Sequence, residues 1–150
     1  MTLACAGFIL LCLVVVACGR CALVTMTLNF NTSLDTTGKG LNESVQIEAA
    51  TGILLSPASI PPSTTNQPYP LTWTIANVQA IVLVSNVSIT VKTNNATTPS
   101  ETVNLTANIP YIWFVGSPLA NLFTHDLTGG LFLTNATAAQ ARLQGQILTN

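Results

Sequence analysis

The sequence predicts an all-β protein, an antiparallel β-sandwich or jelly-roll-like single domain of eight or nine short strands, preceded by an apolar N-terminal segment. Three observations predict it. Past Met26 the apolar residues recur with period two and not 3.6. Turn residues interrupt these runs roughly every 8–12 positions, the spacing of sandwiches and barrels. And formal charge is confined to Arg20, Asp35, Lys39, Glu43, Glu48, Lys92, Glu101, Asp126 and Arg142, so that 22 Thr, 13 Asn and 9 Ser fill the outward positions of the 150-residue chain.

The N-terminal segment, residues 1–25, differs from the rest. Its run Phe8–Ala17 is the most hydrophobic stretch, and it carries all four cysteines, Cys5, Cys12, Cys18 and Cys21. It reads as a secretory signal without a basic start, as a lipoprotein-like segment ending at Val15-Val-Ala-Cys18, or as a short membrane anchor. A start displaced from Met26, where Met-Thr-Leu repeats the opening Met1-Thr-Leu, would give the same boundary, so Met1, Cys18 and Met26 all stand as possible first residues. Cys18 and Cys21 form a lone C-x-x-C, with no second pair or nearby His to complete a zinc site.

Residues 26–150 form the expected all-β domain. Leu71, Trp73 and Ile75 alternate with threonines; Val87, Ile89 and Val91 with Ser88, Thr90 and Lys92; Val103, Leu105 and Ala107 with Asn104 and Thr106; Ala141, Leu143 and Ile147 with Arg142, Gln144 and Gln146. Each reads as a half-buried strand. Ala80–Val84 and Tyr111–Val115 are apolar throughout and read as central strands covered on both faces. Residues 26–30, 44–49 and 131–134 are weaker candidates. Ser85-Asn86 predicts a two-residue hairpin joining 80–84 to 87–93. The five prolines of 56–70 predict an extended crossover between sheets, or an arm to a neighbouring subunit. Asn135–Ala141 is the best candidate for a single helical turn, and Trp73 and Trp113 are expected in the core.

Chemistry is thinly supplied. His125 is the sole histidine, and a Ser–His–Asp set with Ser117 or Ser100 has no supporting motif. Asp126, its neighbour, would point to the opposite face of an extended segment. Glu43 and Glu48 fall on opposite faces of one strand, and Glu101 and Asp126 sit beside turns. Gly38-Lys39-Gly40 lacks the remainder of a phosphate loop, Asp35 stands without further calcium ligands, and Lys39, Lys92 and Arg142 make no phosphate-tracking patch. No catalytic, cofactor-binding or metal-binding residue is assigned, no cofactor is expected, and the protein is read as a non-enzyme. Asn31, Asn42, Asn86, Asn95, Asn104 and Asn135 each begin an N-x-[ST] sequon, an excess that outward Asn and Thr on period-two strands also generate.

The stretch Ile81-Val-Leu-Val-Ser85, Val87–Asn94, Glu101–Ala107, Ile109-Pro-Tyr-Ile-Trp113, Leu122-Phe-Thr-His-Asp126 and Leu131–Asn135 resembles a loose group of small all-β proteins of tailed-phage genomes and environmental viral sequences. The resemblance implies a virion component, of decoration or minor structural type, with no catalytic residues to carry over. The expected partners are further copies of the chain as a homo-oligomer, other virion proteins or both. No nucleic acid and no small-molecule substrate is expected, and a membrane enters only if the N-terminal segment is retained. The alternative is a secreted or lipid-anchored surface or adhesion module.

Overall fold

The computed structural model describes the backbone of residues 8–18, 21–34 and 39–150, and the side chains of 23–29, 44–55 and 58–150. Contacts divide the chain into two units, Met1–Ala50 and Thr51–Asn150. The first is an antiparallel meander of β1 (Phe8–Cys18), β2 (Cys21–Leu34) and β3 (Lys39–Ala49) in the order β1-β2-β3. The run expected to be a signal or anchor thus lies in a strand, as its β-branched Val14-Val-Val16 favours, with Cys18 opposite Cys21 in the register of β1 and β2. No described helix is long and apolar enough to cross a membrane. The compositional break at 25/26 falls inside β2, where buried Met26 and Leu28 pair with Ile47 and Val45.

The second unit holds β4 (Thr51–Ile60), β5 (Thr64–Tyr69), β6 (Val78–Ser85), β7 (Ile89–Thr93), β8 (Thr102–Leu105), β9 (Tyr111–Phe114), β10 (Leu131–Asn135) and β11 (Ala141–Thr149). They form two antiparallel four-stranded sheets, ordered β4-β11-β6-β9 and β5-β10-β7-β8. Every connection changes sheet except β7 to β8, so the chain wraps around one core in a jelly-roll-like path. Inward residues alternate as the sequence indicates. Ile81, Leu83, Leu143 and Ile147 of the first sheet face Ile89, Val91, Leu105 and Leu133 of the second in a single cluster. Trp73 is buried in it, and Trp113 is half-buried against it.

Several expectations are corrected. Ser85-Asn86 closes no hairpin: β6 pairs with β11 and β9, and β7 with β10 and β8. The Asn86 carboxamide accepts from Arg142 N (2.6 Å) and donates to Gln140 O (3.2 Å), anchoring a corner that carries the chain to the opposite wall. Residues 71–75 make no strand, because Trp73 bridges only Leu127 before a 3-10 turn at Ile75–Asn77. Tyr111–Val115 is not central, since β9 is an edge strand paired with β6 alone; Tyr111 and Trp113 face the core while Ile112 and Phe114 look outward. Asn135–Ala141 holds no helical turn. Its shape comes from the buried Asn135 amide, which accepts from Thr137 N (3.0 Å) and Oγ1 (2.7 Å) and donates to Ile60, Pro61 and Ala139 carbonyls. Residues 56–70 lie mostly in strands: two of their five prolines, Pro57 and Pro68, sit in edge strands, where a missing N–H is tolerated, and the crossing between sheets occupies only 61–63.

Candidate functional site

At the end of the sandwich opposite to Asn86 and Asn135, polar side chains gather around Glu101. The carboxylate precedes β8, and Thr93 at the end of β7 fixes its backbone: Glu101 N donates to Thr93 Oγ1 (2.8 Å) and Thr93 N to Glu101 O (3.1 Å). The Thr93 hydroxyl donates in turn to the carboxylate. From the loop 121–128 come Thr124 N (3.0 Å), His125 N (2.8 Å) and His125 Nδ1 (2.6 Å), all on Oε1. The last of these contacts, an ion pair when the imidazole is protonated, joins a side chain 9% exposed, Glu101, to one 63% exposed, His125. Burial pushes the Glu101 carboxyl upward, but the hydrogen bonds from Thr93, His125 and Thr124 together outweigh it and hold the group below the usual carboxylate range.

The loops carrying this pair are locked from beneath. Phe123 is fully buried, edge-on to Trp73 at 5.7 Å and to Tyr111 at 5.6 Å, contacts worth roughly 0.5–1.5 kcal/mol each beyond burial. Trp73 Nε1 donates to His125 O (3.2 Å), and Trp73 and Leu127 exchange backbone bonds of 3.0 and 2.9 Å. The Tyr111 hydroxyl donates to Asn121 Oδ1 (2.8 Å), and burial raises its pKa against the bond it accepts from Leu122 N. Asn94, at φ 66°, ties the two loops together. Its Nδ2 donates to Ser100 Oγ and Asp126 O, and its Oδ1 accepts from Thr128 N and Gly129 N. Gly129 approaches so closely that a Cβ there would lie 2.2 Å from the Asn94 carbonyl oxygen.

An imidazole held at Nδ1 by a carboxylate and open to solvent is the base half of a hydrolytic triad. The described residues do not assemble the remainder. Ser100 Oγ is bonded to Asn94, Ser117 Oγ accepts from Leu119 N (3.1 Å), and the Asp126 carboxylate accepts from Ile75 N (2.7 Å). The carboxylate that meets His125 is Glu101, 24 residues away, and not its neighbour Asp126. Among the described residues no three His, Cys, Asp or Glu side chains gather as metal ligands. Asp35 and Gly38, and the side chains of Lys39 and Glu43, lie outside the described residues. Of the sequons, Asn135 is buried with both amide functions engaged, and Asn86, Asn95 and Asn104 are exposed. The side chains of Asn31 and Asn42 lie outside the described residues.

A second feature lies along β9. Ile109, Val115, Leu119 and Leu122 are between 50% and 67% exposed, and they are four of the six large exposed apolar side chains described. Ile109 and Leu122 line a shallow groove of about 180 Å³ with Val103, Leu105 and Tyr111, between the edge strands of the two sheets. From Thr102 to His125 there is no Asp, Glu, Lys or Arg. Sequence reasoning missed both features. The Asn-x-Thr pattern at Asn135 and Asn95 was the available signal for local Asx turns, whereas nothing local marks the Glu101–His125 pairing.

The fold defines an all-β sandwich whose polar side chains tie loops together at both ends and whose exposed apolar side chains among the described residues gather around one edge strand. Comparison with protein-family models, with curated proteins and with solved structures found no match.

Proposed function

We propose that this chain is a non-enzymatic structural protein that self-associates and is built into a larger assembly, most specifically as a decoration or minor structural subunit of a virus particle. The observation that carries the reading is the exposed apolar strip around β9, set in a span without formal charge. Isolated exposed apolar residues need no explanation, but four of them within one short stretch around an edge strand, two lining one groove, support an interaction surface. The jelly-roll-like path adds support by analogy, because that architecture recurs in capsid domains. Contacts made by such a surface are not ionic and so are not screened by salt. Sedimentation of the full chain at 0.05 and 1 M NaCl tests self-association: the expected result is an oligomer unchanged by salt, and a monomer throughout overturns it. Peptide mass spectrometry of density-purified particles from the native source tests the virion assignment, which requires the chain in many copies per particle.

A second reading, a secreted or lipid-anchored surface module, draws on the exposed Asn86, Asn95 and Asn104 sequons. Intact mass of the native protein separates the two. Attached glycans or a lipidated Cys18 favour the surface module, and an unmodified chain favours the particle.

A further inference from the structure

Strand β9 leaves one edge of its sheet open. Its register with β6, and the bond from Val115 N to Gln79 O (2.9 Å), direct the backbone groups of Tyr111 and Trp113 into the ladder. Those of Ile112 and Phe114 therefore face the open edge, where the Phe114 carbonyl accepts from Ser117 N within its own turn. An open edge is a template for another strand, and proteins that stay monomeric guard it with lysine, proline or inward charge. Neither Lys nor Pro lies within β9, and the surrounding span from Thr102 to His125 is free of formal charge.

We infer that a second copy of this chain docks at this edge, its β9 pairing antiparallel with β9 about a two-fold axis, so that two four-stranded sheets become one of eight strands. The inference rests on the self-association proposed above and names its surface. A two-fold contact brings a patch against itself and must be complementary to itself. A charged patch would repel its twin or desolvate an unpaired ion, and this one holds no charge to do either. The outward N–H and C=O of Ile112 and the N–H of Phe114 meet the same groups in reverse order across the axis, while the Phe114 carbonyl already accepts from Ser117 N. Ile109, Val115, Leu119 and Leu122 lose on the order of 100 Å² each, about half of the ~800 Å² per partner of a specific interface. The edge strand and the adjoining groove supply further area.

Sedimentation velocity of the full chain over a range of concentrations tests this with three variants: Leu119→Asp and Phe114→Lys at the edge, and Thr65→Asp on β5, at the far edge of the other sheet. Circular dichroism and thermal melting check that each variant folds. Leu119 is 67% exposed, so Leu119→Asp carries the test if Phe114→Lys does not fold. The expected result is a wild-type dimer, a dissociation constant raised at least about tenfold by each edge variant, and no change for Thr65→Asp. Wild-type association that survives both edge variants overturns the β9 surface and leaves self-association standing. A wild-type chain that stays monomeric throughout overturns both.

Discussion

The knot around Glu101 and the strip around β9 adjoin in sequence and are opposite in chemistry. In the knot, the carboxylate, two asparagine amides and two threonine hydroxyls are consumed by partners within the molecule. Along β9, from Ile109 to Leu122, apolar side chains stand exposed in a stretch of sequence without charged residues. The difference is one of use: around Glu101 polar groups close the structure on itself, and around β9 apolar side chains are left exposed. Substitutions in the knot should therefore act on stability, and substitutions on the strip on association.

The largest effect is expected beneath the knot. Phe123→Ala empties a fully buried site and removes two edge-on ring contacts, which should cost about 3–5 kcal/mol, read as a lowered urea midpoint. Asn135→Ala comes next. It leaves the Ile60, Pro61 and Ala139 carbonyls and Thr137 N without their partner, a loss of about 2–3 kcal/mol by the same measurement. Asn135 closes the end of β10 opposite to Glu101. Unchanged stability in Phe123→Ala would therefore show that the Glu101 end does not close the fold, and in Asn135→Ala that the opposite end does not.

The contrast also marks what could be read from sequence. Period-two alternation is local, so the inward residues of β7, β8 and β11 are legible in the sequence before any pairing, whereas 131–134 offers only a weaker strand signal. Pairing is not local. Ser85-Asn86 suits a hairpin and a corner equally, and only the partners of Asn86 at Gln140 and Arg142 decide for the corner. The apolar run Tyr111–Val115 looked central because sequence records apolarity, not whether a neighbour covers both sides. Trp73 and Leu127, and Glu101 and His125, meet through loop packing that no spacing rule encodes.

Acid titration sharpens the comparison. The Glu101 carboxyl is held below its ordinary value in the folded chain, so its contribution is fully present above about pH 4.5, the unfolded value. It is lost as pH falls through the lowered folded value. Glu101→Gln should be less stable than wild type near neutrality, and the gap should close in that acid window. A gap that stays constant with pH would show that the hydrogen bonds act without the charge.

The smallest effect is expected at His125. Its ring is 63% exposed, so its pairing with Glu101 is screened by solvent. His125→Ala removes one of several donors to the carboxylate and leaves the backbone N–H of the same residue in place at 2.8 Å. Stability should fall by less than about 1 kcal/mol, and association by the β9 edge should not change. Because the backbone keeps the loop on Glu101 without the imidazole, a larger loss would mean that the ring performs work beyond holding the knot. That outcome would return His125 to consideration as a functional group.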